Sequence, residues 1–302
     1  MPLTNTSVPV PQNFFVILYH AHQLLDSAGP LDILSTITKT QQGRNFTLTF
    51  LAEDLGAINL AAIPPVDADW DFEESGEMPR DDEGMVGGRG FNPTLNADVS
   101  FEDALRELRD TGKVEVNVRG RNSETGRWEV RKESRSVDVL FIPGGIGSRL
   151  YRVDNVSGER TLNVKSAIDF VKAVCLEGYV QSVVMTVCTG SDLLAHTGLL
   201  DGRRATTNAM AFEKVAARHE GPKWLEKRRW VRSLPEEVQG KEGGSGFDKE
   251  IWTSAGISAG MDLMLWFVAE VWGKEFARGV GRRLEYEWRE GVGEGEVDPY
   301  YE

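Results

Sequence analysis

Cysteine is the residue type here best suited to covalent chemistry, and only two occur in 302 residues, Cys175 and Cys188. Cys188 closes the run Val183 to Val187, a short apolar and mostly β-branched stretch of the kind buried in a parallel sheet. Thr189, Gly190 and Ser191 then allow a tight turn into Asp192-Leu193-Leu194-Ala195, which reads as the start of a helix. A thiol at such a strand-to-helix turn is lifted clear of the sheet, and the first unpaired N–H groups of the helix favour its thiolate. Cys188 is therefore the candidate nucleophile. The competing reading is a small buried apolar cysteine, because free Cys is among the most buried residue types.

The elements that must position Cys188 follow a repeating pattern. Phe14 to Tyr19 reads as an apolar strand, about Pro30 to Thr40 as a helix, and Thr47 to Ala52 as the next strand. Val137 to Ile142 is a third strand and ends in Pro143-Gly144-Gly145-Ile146-Gly147, a loop where backbone can approach a ligand closely. Thr161 to Glu177 has helical spacing and precedes the strand of Cys188. This alternation predicts an α/β fold with a doubly wound, mostly parallel sheet between helices, whose ligands sit at the carboxyl ends of the strands. Arg229 to Ser233 and Glu250 to Ser254 read as a further strand pair, and Ala255 to Trp272 as a buried helix.

Composition limits the rest. The net charge is −13, concentrated at two places: Asp67 to Glu83 has nine acids against Arg80 alone, and Glu285 to Glu302 has seven against Arg289. We expect one α/β domain over 1–302, an acidic Gly-rich insertion at 64–90, an appended β-hairpin at 107–136, and an acidic flexible tail at 288–302. A chain of this charge with no long basic stripe does not suit nucleic acid, and Lys223 to Arg232 reads as a solvated face. The longest apolar stretch, Met261 to Val271, is too short to span a bilayer and contains Asp262. Nothing signal-like precedes Gln12, so a cytoplasmic location is the default. Two cysteines without metal-ligand spacing fit one working thiol better than a disulfide framework.

Four stretches together carry a likeness to a known family. They are Leu24 to Asp32 (LLDSAGPLD), Asp138 to Gly145 (DVLFIPGG), Val187-Cys188-Thr189-Gly190-Ser191 with Gly202-Arg203-Arg204-Ala205-Thr206-Thr207, and Ser254 to Asp262 (SAGISAGMD). In these the chain resembles the ThiJ/PfpI family of the class I glutamine amidotransferase-like superfamily, and within it the isonitrile (isocyanide) hydratase group. The resemblance implies a flavodoxin-like sandwich, a homodimer, Cys188 as the nucleophile, Asp26 as the carboxylate beside it and Thr189 as its polar neighbour. On the residues themselves, Asp26 falls in the loop after the first strand, on the sheet edge of Cys188. It reads as an acid, as a helix cap before Pro30, or as both. Thr189 either orients Cys188 or Asp26, or caps the helix.

Departures from the wider superfamily bear on the chemistry. An amidotransferase triad needs a late histidine, and none follows His219. Asn208 stands where hydratases tend to have histidine after the Thr-Thr pair. His20 and His22 either line the pocket or bind a metal, although His-x-His alone is usually not a site. The expected chemistry is addition of water to a small-molecule isonitrile through a thioimidate on Cys188. Asp26 supplies the proton, and backbone N–H groups at Gly145, Ile146 and Thr189 act as donors. Neither a cofactor nor a metal is expected. The alternatives are a glyoxalase or deglycase acting on α-oxoaldehydes, and a cysteine redox sensor without turnover.

Overall fold

The computed structural model describes residues 10–40, 46–60, 68–72, 93–122, 124–240 and 245–301. Seven strands form the central sheet: β1 (Asn13–Ile17), β2 (Thr47–Ala52), β3 (Val99–Ser100), β4 (Val137–Ile142), β5 (Val180–Val187), β6 (Trp230–Ser233) and β7 (Glu250–Ser254). Their spatial order is β6-β7-β5-β4-β1-β2-β3. All neighbours are parallel except the edge pair β6 and β7, where Trp230 faces Ser254 across an antiparallel ladder.

The alternation of side chains along these strands builds two cores. Phe14 and Val16 of β1 point to one face, where Leu263, Phe267 and Val268 cover them; Phe15 and Ile17 point to the other, among Val171, Val174 and Leu193. The first face is covered by α1 (Leu24–Thr38), α6 (Ser258–Trp272) and α7 (Lys274–Arg283). The second is covered by α2 (Phe101–Thr111), α3 (Lys165–Leu176) and α4 (Gly190–His196). A short α5 (Phe212–Arg218) follows α4. A strand buried on both faces carries few polar side chains, which is why residues 14–17 of β1, 139–142 of β4 and 183–187 of β5 read as apolar stretches broken only by Thr186. No helix among the described residues is long and apolar enough to cross a membrane.

Helix α1 and the hairpin differ from expectation in their bounds. Helix α1 starts at Leu24 and carries Pro30 inside it, so Asp26 lies in the first helical turn instead of a loop. Proline has no N–H to give the carbonyl four residues back, which here is that of Asp26. The hairpin is formed by Val114–Arg121 and Trp128–Arg135, while residues 107–111 belong to α2, capped by the Ser100 hydroxyl. Of the segment 64–90 only 68–72 lies within the described residues, and it is a strand paired antiparallel to Leu150–Asp154.

The segment expected to be a flexible tail is anchored. Val297 forms a bridge with Arg228, and the Asp298 side chain, 1% exposed, pairs with Arg229 and Arg289. Arg229 also binds Asp262 of α6, whose other oxygen accepts from Tyr286 and from the Arg289 N–H. The sequence of this segment is Gly- and Glu-rich, and acids there read as solvated. Arg229 makes one of them a buried partner.

Candidate active site

Cys188 sits where the sequence placed it, directly between β5 and α4, and its backbone is left-handed with φ +57°. A cysteine adopts that conformation only when its surroundings insist. Its N–H donates to the carbonyls of both Ser254 (3.1 Å) and Ala255 (3.0 Å). Its carbonyl accepts from the hydroxyls of Ser191 (3.0 Å) and Thr207 (3.2 Å). The nucleophile loop is thus tied to β7 and to the Thr-Thr segment, and the sulfur is directed off the sheet edge, with the residue 8% exposed.

The Gly-rich loop after β4 completes the setting. A side chain on Gly144 would stand 2.5 Å from the Thr189 nitrogen and 2.8 Å from Cys188 Cβ, so only glycine fits. Gly145 has φ +140° and lies against the backbone of Ala21 to Gln23. Its N–H donates to the Thr189 hydroxyl (2.9 Å), which donates in turn to the Gly145 carbonyl (3.0 Å). Thr189 therefore clasps the two loops together and does not cap α4 with its side chain. The Gly145 N–H, expected as an open donor for developing charge, is already engaged. Ile146 begins the 3-10 turn Ile146–Arg149 and is half-buried.

Asp26 comes to this site from α1 and is fully buried. Oδ2 accepts the Gly144 N–H at 3.1 Å, and Oδ1 accepts from no nitrogen or oxygen donor among the described residues. The carboxyl group lies beside the Cys188 thiol, and each disturbs the other's ionisation. Burial pushes Asp26 up to about 7, against the opposing pull of Cys188 and the Gly144 N–H. Burial, with the Asp26 charge second, pushes the Cys188 thiol up to about 12. The helix start therefore does not win by itself. The Thr189 N–H and the Asn208 side chain both reach the sulfur and favour the thiolate, but less strongly.

These values belong to the pair. Between about pH 7 and 12 thiol and carboxyl hold a single proton between them. Asn208 is oriented for its part: Oδ1 accepts from the N–H groups of Met210 (3.0 Å) and Ala211 (3.3 Å), which leaves its NH2 end for Cys188. Asn208, where hydratases tend to have histidine, thus presents a fixed donor to the sulfur.

The remaining candidates lie apart from the thiol and carboxyl. His20 Nδ1 accepts the Asn59 N–H, and His22 Nδ1 meets the Tyr19 carbonyl at 2.9 Å. Burial drives His22 down to about 4, so its ring is neutral. Among the described residues the two rings do not form a group with a third ligand. One convergent group of ligand types exists among the described residues, Asp192, His196 and His219. Sequence reading passed over it. The Asp-x-x-x-His spacing on α4 was the available signal, but His219 is brought in from beyond α5.

The profile of the DJ-1/PfpI family matches residues 96–270. The chain belongs to the DJ-1/PfpI family. The matched span includes the Gly144 loop, Cys188, Asn208 and the start of α6, while Asp26 lies outside it. Isonitrile hydratase of Pseudomonas putida is 31% identical over 150 residues, 50% of this chain and 52% of that protein. The chain thus matches about half the length of this curated relative. An AraC family transcriptional regulator from Pseudomonas putida superposes with TM-score 0.51 at 14% identity, covering 91% of this chain and all of that one. A ThiJ/PfpI family protein from Pseudomonas syringae gives TM-score 0.49 at 16% identity, covering all of this chain and 87% of that one. At 14% identity the first of these speaks for the fold alone, and that fold is the expected flavodoxin-like sandwich.

Proposed function

We propose that this protein is a cofactor-independent enzyme that adds water to an isonitrile and releases an N-substituted formamide. The observation that carries this reading is the buried Asp26 carboxyl, raised to about 7 beside Cys188. An isonitrile carbon must gain a nucleophile and a proton together. A thiol and a carboxyl that share one proton at neutral pH can supply both.

In the reacting form Cys188 is thiolate and Asp26 is the acid. Sulfur bonds to the terminal carbon as the Asp26 proton moves to the same carbon, giving the thioimidate R–N=CH–S–Cys188 and leaving Asp26 ionised. Asp26 then takes a proton from water as the oxygen adds to that carbon, and passes it to nitrogen. When the tetrahedral species collapses, its hydroxyl proton returns to Asp26, the carbon–sulfur bond breaks, and R–NH–CHO leaves. The Thr189 N–H and the Asn208 amide stabilise the departing thiolate. The likeness to isonitrile hydratase over half its length supports the same substrate class.

The test is formamide production from an aryl or alkyl isonitrile, followed by proton NMR, for wild type, Cys188→Ala and Asp26→Asn. Methylglyoxal is assayed on the same samples. Formamide from wild type and none from Cys188→Ala is expected. Full activity in Cys188→Ala, or turnover of methylglyoxal with none of the isonitrile, overturns the proposal. A redox-sensing role would show instead as reversible sulfenic acid at Cys188 with neither substrate consumed.

A further inference from the structure

On the α4 side of the nucleophile loop, away from the thiol and carboxyl, three side chains with ligand atoms converge. Asp192 and His196 are four residues apart on α4 and so share a face of that helix. His219, the residue that terminates α5, approaches them with Nε2 2.9 Å from Asp192 Oδ1. One ligand atom from each residue lies within 4.8 Å of the other two. The rings of His196 and His219 stand edge to face with centroids 4.5 Å apart.

We propose that Asp192, His196 and His219 bind a divalent transition-metal ion of the zinc class. The ligand set is two imidazoles and a carboxylate, which suits zinc, nickel or cobalt rather than calcium or magnesium.

The backbone holds the ligands in place. His219 donates its N–H to the Val215 carbonyl, and its own carbonyl accepts from the Trp224 indole at 2.7 Å. At usual zinc distances of about 2.0–2.2 Å, atoms 2.9 Å apart subtend roughly 90° at the ion, as in six-coordination; opening the pair by about 0.5 Å reaches the tetrahedral angle. Arg218 Nη1 touches both Asp192 oxygens, at 2.9 and 3.0 Å. In the bound state it is the outer hydrogen-bond donor that ligating carboxylates ordinarily have. Its charge opposes the ion, so binding is reversible rather than permanent. The ion would fasten the end of α5 to the helix that follows Cys188.

The test is titration with Co2+ and Zn2+, by visible absorption and calorimetry, in Cys188→Ala protein so that the thiol contributes nothing. One equivalent is expected, with affinity reduced by roughly tenfold or more in His196→Gln and in His219→Gln. In wild-type protein, Zn2+ is expected to shield His196 and His219 from diethyl pyrocarbonate while His20 is unaffected, read by peptide mass spectrometry. The second measurement needs no variant and so does not depend on the variants folding. Unchanged binding in both variants, no binding at millimolar ion, or equal modification with and without Zn2+ overturns the site.

Discussion

Replacing Asp26 by Asn should stabilise the protein, and by an amount that depends on pH. A carboxyl carried from its ordinary 3.8 to about 7 costs roughly 4 kcal/mol when it is ionised in place, at 1.36 kcal/mol for each tenfold. The direction follows from proton counting. Below about pH 4 the acid is protonated in both states and contributes no pH dependence. Between about 4 and 7 the unfolded chain releases the proton while the native state keeps it, so wild-type stability falls as pH rises. His22, lowered to about 4, acts oppositely between 4 and its ordinary 6.5, since the unfolded chain there binds the extra proton. The difference between Asp26→Asn and wild type cancels His22. Urea unfolding at pH 4.5, 6 and 8 should show that difference growing in favour of the variant by roughly 3 kcal/mol across the series. Parallel curves would mean that Asp26 ionises normally in the folded protein, and the proton-sharing pair would fall with it.

Other perturbations have equally definite outcomes. Alkylation of Cys188 by iodoacetamide should stay slow at neutral pH and keep rising toward pH 12, because burial and the Asp26 charge raise its thiol, while Cys175, whose thiol burial holds far above its ordinary value, stays unlabelled until urea unfolds the chain. Asn208→Ala should slow that labelling at fixed pH, because it removes a donor to sulfur, and should also cost about 0.5–2 kcal/mol in urea unfolding, because the Met210 and Ala211 N–H groups lose their cap. Thr189→Val should cost about 1–3 kcal/mol in urea unfolding, since the Gly145 N–H and carbonyl both lose their partner. Arg229→Ala should cost about 3–5 kcal/mol, because the buried carboxylates of Asp262 and Asp298 lose the guanidinium they share. Limited proteolysis should then release the segment after Trp288.

The sandwich was legible because the inner parts of β1, β4 and β5, residues 14–17, 139–142 and 183–187, are buried on both faces and are written almost wholly in apolar residues, Thr186 being the exception. Cys188 was legible for the same reason, standing where such a run stops and small residues start. Asp26 was placed in the wrong element because Pro30 is a strong start signal, yet α1 begins six residues before it and packs well enough to hold proline inside. The tail was misread because one of its acids, Asp298, is buried against Arg229, a partner distant in sequence. The Thr189 clasp and the grouping of His219 with Asp192 likewise depend on loops that meet only in three dimensions. Local sequence gave no rule for them.

The left-handed backbone at Cys188 has one further consequence. A glycine there would relieve strain on the order of 1–3 kcal/mol, so the scaffold would be more durable without its reactive atom. Four hydrogen bonds fasten the residue's own peptide groups, and the backbones of Gly144 and Thr189 leave no slack beside it. Sulfur is presented as a fixed anvil. Selectivity among reactants must then come from the angle at which a molecule can arrive, because the loop cannot shift to meet a poorly aligned one.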